Sequence, residues 1–242
     1  MAVASTFAGF PPEGIQFMAD LAANNDRAWF QPRKADYERL VKEPMELLMV
    51  ALGERFEAER IPLVADPKRS PFRIYRDTRF SRDKSPYKTH IGASLPWVGG
   101  ADGSMPSPGE AAEADDGPHG NGAYFNFQPG EMYAGGGMWM PEKPRLDGFR
   151  RALVDDPGRV RAALDDPAFV AFFGGVSSHE TLKRVPPGVP ADHPEADRLR
   201  WKDVVFGRRL TDAEVCSPRL PDLLTEGYAS AVPVFRFLAG LA

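Results

Sequence analysis

The feature that most constrains the fold is an alternation from Tyr87 to Trp97. Tyr87, Thr89, Ile91, Ala93, Leu95 and Trp97 share one parity, and Lys88, His90, Gly92 and Ser94 share the other. Side chains of a strand point to opposite faces with a period of two, so this run predicts a strand whose first set faces a core. Two more strand patterns, Ala123 to Gln128 and Met132 to Met140, are joined by the turn residues Pro129 and Gly130. A connection that short predicts antiparallel pairing. Phe72 to Arg76 also alternates, and Val204 to Phe206 reads as a short strand.

Helical periodicity flanks these strands. Pro11 and Pro12 precede Ile15, Phe17, Met18, Leu21 and Ala22, spaced by three and four, and Asn24, Asn25 and Asp26 end that helix. From about Trp29 to Arg60, Tyr37, Leu40, Val41, Met45, Leu48, Leu52 and Phe56 repeat the pattern, with a restart expected at Pro44. After the strands come short amphipathic helices around Leu146 to Val154, Val160 to Leu164 and Phe169 to Phe173, and a closing helix pair from Pro218 to Leu241, interrupted at Gly227 or Pro233. The expected class is α+β, a single compact domain over residues 1–242. An antiparallel sheet of about four to six strands packs against several helices.

Gly99 to Gly122 breaks the pattern. It is built of Gly, Pro, Ala, Ser and acids, with Met105 its only large apolar residue. Such a segment buries too little surface to offset its ordering entropy, so it reads as a flexible acidic hairpin insertion. Its acids Glu110, Glu113, Asp115 and Asp116 could fold as a lid over a basic surface.

The basic surface is expected from Lys68 to His90, KRSPFRIYRDTRFSRDKSPYKTH. The stretch has eight Lys or Arg against two acids, net +6 in a chain of net −4. If the strand registers hold, one sheet face carries Arg73 and Tyr75, then Lys88 and His90, then Tyr124, Asn126 and Gln128, then Tyr133, Gly135 and Gly137. Arginine forks suit phosphate or carboxylate, lysines add point charge, and glycines inside a strand often mark close approach of a ligand or a backbone. The candidate ligand-binding residues are Arg73, Arg76, Arg79, Lys84, Lys88, Tyr124, Asn126, Gly135, Gly136 and Gly137. His90 and Asp77 are the candidates for moving a proton. The competing reading is structural: Arg76 with Asp77 and Arg82 with Asp83 in ion-pair networks, Arg79 stacked on Phe80 or Tyr87, and the glycines forming a bulge.

Familiar signatures are missing. No Gly-Lys-Ser/Thr follows the glycines, no GxGxxG opens a helix, and neither HExxH nor GxSxG occurs. His193 lies in a turn of Asp192, Pro194 and Glu195, where capping explains as much as metal ligation; no metal site is expected, and the sequence names no cofactor. The single cysteine, Cys216, excludes an internal disulfide and fits a cytoplasmic protein. No run of about 18 apolar residues predicts a membrane span. Oligomeric state and any catalysis are left open by the sequence.

The succession FRIYRDTRFSRDKSPYKTH, GAYFNFQPGEMYAGGGMWMPEKPRLDGFRRAL and LKRVPPGVPADHPEADRLRWKD resembles a large family of uncharacterised bacterial and fungal proteins, known only as a conserved domain of unknown function. The resemblance runs from Asn24 to the last helix and implies one mixed α and β domain without implying a mechanism. Three functions remain open from the residues. One is binding of an anionic small molecule, with or without catalysis. Another is nucleic-acid binding, with Tyr75, Phe80, Tyr87 or Tyr124 stacking on bases, against which a pI near 5.7 counts. The last is a structural or partner-binding role with internal ion pairs.

Overall fold

In the computed structural model, residues 6–79, 81–102, 104 and 120–241 are described. Helix α1 (Pro12–Ala23) has proline in its first turn, where the missing N–H breaks no helical bond, and buries Phe17, Met18 and Leu21. The Asp26 carboxylate caps α2 (Arg27–Phe30), accepting the Trp29 N–H at 2.8 Å. Then α3 (Lys34–Tyr37) passes through a π-helical turn, Glu38–Lys42, into α4 (Glu43–Glu59). Pro44 explains the widened turn: it has no N–H to give the Leu40 carbonyl four residues back, and its ring crowds that carbonyl. The carbonyl instead abuts α1 at Gly14, where any Cβ would run into it.

Strands β1 (Ile91–Pro96), β2 (Asn121–Phe127), β3 (Tyr133–Met138) and β4 (Val204–Arg209) form an antiparallel sheet in sequence order. Register puts Ala93, Phe125 and Ala134 in one row and Leu95, Ala123, Gly136 and Phe206 in the next, all facing the core. The other face carries Gly92, Ser94, Tyr124, Asn126, Tyr133, Gly135, Gly137 and Val205. Both edges gain one bridge, Pro71 opposite Ala93 and Ser177 opposite Val205.

The helical layer covers the core face. It comprises α5 (Lys143–Asp155), α6 (Pro157–Leu164), α7 (Pro167–Phe173), α8 (Ala196–Leu199), α9 (Asp212–Val215), α10 (Leu220–Ser230) and α11 (Val232–Ala239) together with the amino-terminal helices. Phe10 stacks on Phe127 at 4.4 Å, and Phe206 meets Phe173, Phe169 and Phe235 at 4.6, 5.0 and 5.5 Å. These contacts belong to one continuous hydrophobic cluster. Among the described residues, no helix is long and apolar enough to cross a membrane.

Three expectations are corrected. Phe72 to Arg76 is not a regular strand; it is joined to β1 and to residues 86–88 by isolated bridges, because Pro71 and Pro86 lack the donors a longer ladder needs. Of the two expected break points in the closing helices, the Gly227 one is wrong: the break falls at Ala231, with Pro233 in the first turn of α11, and Gly227 lies inside α10, where the Phe172 ring occupies the space a Cβ would take. β2 begins at Asn121, within the expected insertion. Of that insertion, residues 103 and 105–119, including Glu110, Glu113, Asp115, Asp116 and His119, lie outside the described residues, as does Phe80.

Candidate functional site

The basic stretch divides into three parts with different fates. Its first part runs beside β1, where the Phe72 N–H donates to the Gly92 carbonyl at 2.9 Å. Residues 76–79 and 81–86 belong to the loop between the two sides of the Tyr75–Tyr87 bridge, with Arg76 N–H donating to the Pro86 carbonyl and Lys88 N–H to the Ile74 carbonyl. Asn25 holds the base of this loop from outside. Its amide donates to the Tyr87 carbonyl at 2.9 Å, and its side-chain oxygen accepts the Tyr87 N–H at 3.1 Å. Tyr87 is stacked on Phe30 at 4.1 Å, so the last part of the stretch enters β1 from a fixed point.

Inside the loop two of the four cations are matched to its two acids, while Arg82 and Lys84 make no ion pair among the described residues. Arg76 pairs with Asp83, and the Arg79 fork grips Asp77, with Nη2 2.6 Å from Oδ2 and Nε 3.0 Å from Oδ1. Those bonds from Arg79 hold the Asp77 carboxyl well below the usual carboxylate range. Asp83 is lowered as well, first by the Ser85 hydroxyl and N–H and then by Arg76. Lys84 donates to the Thr78 carbonyl at 2.8 Å. The pairing differs from the expected neighbours, since Arg76 reaches across the loop to Asp83 and leaves Asp77 to Arg79.

Outside the loop, Lys88 and His90 have no acid partner among the described residues. Lys88 is partly buried, its Nζ 5.0 Å from the centroid of the Phe72 ring, and its pKa is lowered by burial and then by Arg73. His90, also partly buried, is lowered by burial and then by Lys88. Among the described residues, none of Arg73, Lys88 and His90 makes an ion pair. Asp77 and Asp83, the two acids of the basic stretch, are engaged inside the loop.

An aromatic row crosses the open sheet face from this point. Phe72 lies 6.1 Å from Tyr124, and Tyr124 lies 5.7 Å from Tyr133. The Tyr124 hydroxyl lies over Gly92, where a Cβ would strike it, and burial raises its pKa. Asn126 is only 4% exposed; its amide donates to the Glu131 carbonyl at 2.8 Å and so ties the β2–β3 turn. The glycines of β3 have a structural reason of their own. A Cβ at Gly135 would meet the Phe206 carbonyl, one at Gly136 would lie 2.9 Å from the Phe206 ring, and Gly137 has φ +115° and faces the Val204 carbonyl. Close strand approach demands these residues whether or not a ligand binds.

The parity of the first segment is reversed from expectation. Because Phe72 lies beside Gly92, its ring joins the aromatic row of the sheet face, and residues 71–75, Arg73 and Tyr75 among them, also border a cleft. That cleft has a volume of about 350 Å³ and lies between the π-helical turn and residues 67–75. A wider recess of about 810 Å³ beyond Tyr75 is lined by Arg27, Arg76, Lys84, Asn25 and Gln31. Sequence reasoning missed Phe72 and Gly92, and it missed Tyr37 in the cleft; in each case only the tertiary register supplies the signal.

Among the described residues, the histidine that has a carboxylate partner is His179. Its Nδ1 is 3.2 Å from Oδ2 of the buried Asp203, which also accepts from the His179 N–H and the Ser178 hydroxyl. His193 Nδ1 accepts the Glu195 N–H at 3.1 Å within its turn. Cys216 is partly buried, which raises its thiol pKa, with Asp212 and Glu13 adding to the effect.

With this geometry in hand, comparison with known families is decisive for kinship. A model of conserved hypothetical proteins, DUF2461, matches residues 13–237. The chain belongs to the DUF2461 family. No curated protein and no solved structure matches. The DUF2461 match spans the loop, the sheet and the closing helices, so the unpaired cations and the cleft both lie within the family's domain.

Proposed function

We propose that this protein binds a phosphate- or carboxylate-bearing small molecule beside the start of β1, at Lys88 and His90, with Arg73 within electrostatic reach of Lys88. One observation carries the reading: Lys88 and His90 are partly buried, and neither they nor the exposed Arg73 meet a carboxylate among the described residues. Burying cations without a counter-charge is unfavourable, and a bound anion removes the penalty. The contrast with Arg76 and Arg79, each matched to an aspartate a few residues away, argues against a purely structural role for the trio. Thermal unfolding against inorganic phosphate, pyrophosphate, nucleotides and organic acids tests it. One class of anion should raise the midpoint, and indifference to all of them contradicts the proposal.

A second reading, single-stranded nucleic acid, is favoured by the row Phe72, Tyr124 and Tyr133 on the open face, since rings beside cations stack bases and pair phosphates. It requires binding to an oligonucleotide that weakens steeply with salt. No oligonucleotide binding at low salt removes it.

A further inference from the structure

The cleft beside residues 71–75 adds information about the ligand. It is lined by Phe72, Ile74 and Ile91, by Met45 of α4 and by Tyr37 of α3. At about 350 Å³ it is at the lower end of small-molecule pockets, which run from roughly 300 to 1,000 Å³ and are mostly apolar with a few convergent polar groups. Two polar features stand out. Tyr37 is only 6% exposed, yet its hydroxyl, in a residue lining the cleft, has no hydrogen-bond partner among the described residues. The hydroxyl is not among the buried polar atoms without a partner, so it is open to water and can donate to a ligand that displaces that water. Burial also raises its pKa, so it keeps its proton.

The second feature is the distribution of charge at the rim. On the helical side, Lys34 pairs with Glu38 at 3.6 Å and Lys42 with Glu46 at 3.5 Å, so that side is neutral overall. The opposite side contributes Arg73 and Lys68, neither of which makes an ion pair among the described residues. Arg73 belongs both to this rim and to the group that lowers the Lys88 pKa. The π-helical turn, Glu38–Lys42, supplies the mouth on the helical side, and such turns recur at functional sites because they displace side chains from the regular helical spacing.

We infer that the ligand is an organic acid or phosphate monoester with a small apolar or aromatic body, the body lying in the cleft against Tyr37 and Met45 and the acid group held at Arg73 between cleft and sheet edge. This inference rests on the anion-binding reading and specifies the part of the ligand that reading leaves open. A bare inorganic anion would leave the cleft and the Tyr37 hydroxyl unused, and a neutral aromatic would leave Arg73 and Lys68 unmatched.

The test is calorimetric titration of the full chain with phenyl phosphate, inorganic phosphate and phenol, repeated with Tyr37→Phe and Lys88→Gln. Tyr37→Phe deletes only an unpaired hydroxyl, so its melting temperature should stay the same or rise, which separates a binding effect from a folding one. The expected result is phenyl phosphate bound at least about tenfold more tightly than phosphate, with about a tenfold loss in Tyr37→Phe, as one lost hydrogen bond implies. Equal affinity for phosphate and phenyl phosphate, lost together in Lys88→Gln, would overturn this inference while leaving the anion site standing. A preference for phenyl phosphate that Tyr37→Phe leaves unchanged would also overturn it, because the body would then lie elsewhere. Failure of all three probes to bind would overturn the inference and the anion-binding reading together.

Discussion

The Lys88 ammonium lies 5.0 Å from the centre of the Phe72 ring, and that ring is the only counterpart given to it among the described residues. An aromatic face offsets part of the cost of a partly buried cation and does not neutralise it. Arg73 adds to the imbalance at Lys88, and His90 has its pKa lowered by burial and then by Lys88.

Replacing Lys88 by Gln should therefore change binding far more than folding. Loss of the cation–π contact costs about 0.5–1 kcal/mol, and relief of repulsion by Arg73 offsets it, so urea unfolding should move little. Anion affinity should fall by about 10- to 100-fold, the worth of a hydrogen bond to a charged group. Arg79→Gln gives the contrast. Its fully exposed pair with Asp77 lies inside the loop, and the anion affinity should be nearly unchanged.

Acid pH should act on His90 in two opposite ways. Its folded pKa lies below the ordinary value near 6.5, so the unfolded chain takes up a proton first as pH falls. Stability of the free protein should then drop below about pH 6.5 by a contribution that His90→Asn removes. Anion affinity should rise over the same interval, because the bound anion favours the imidazolium. Unfolding curves and titrations at a series of pH values check both signs.

Asn25→Ala should loosen the basic loop. The substitution removes both hydrogen bonds to the Tyr87 backbone, and the Tyr87 N–H and carbonyl lose their only side-chain partner there. A loss of about 1–3 kcal/mol in urea unfolding is expected, with faster amide exchange at Tyr87.

Gly137→Ala should destabilise without any ligand present. At φ +115° an L-residue is strained, and the new Cβ would collide with the Val204 carbonyl. A cost of about 1–3 kcal/mol from the backbone alone is expected in chemical unfolding. Free folding of this variant with lost binding would instead return the glycines to a ligand role.

Much of the architecture can be read directly from periodicity. The parity of Ile91, Ala93 and Leu95, the Pro129–Gly130 turn and the Pro44 restart each reflect a local rule, and each has its counterpart in the sheet or in α4. What could not be read depends on contacts distant in sequence. Phe72 takes the sheet face because Gly92 lies beside it, and Gly227 stays helical because the Phe172 ring fills its missing Cβ. Glycines at 135–137 suggest close approach, which is correct, but only the strand register shows that the approaching groups include the Phe206 and Val204 carbonyls. Likewise, net charge locates the basic stretch, while the split between neutralised Arg76 and Arg79 and unpaired Arg73 and Lys88 follows from the loop's own geometry. Tyr37 reads in the sequence as one more apolar position of a helix; its unpaired hydroxyl becomes visible only beside the cleft.

The most direct measurement is calorimetric titration of pyrophosphate into the wild-type chain and into Lys88→Gln, at low ionic strength and about pH 6, where His90 gains protons on binding. Saturable binding to the wild type, weakened at least about tenfold in a variant that melts at the same temperature, is the predicted result. No binding to the wild type, or equal affinity in the two chains, would contradict an anion site at Arg73, Lys88 and His90.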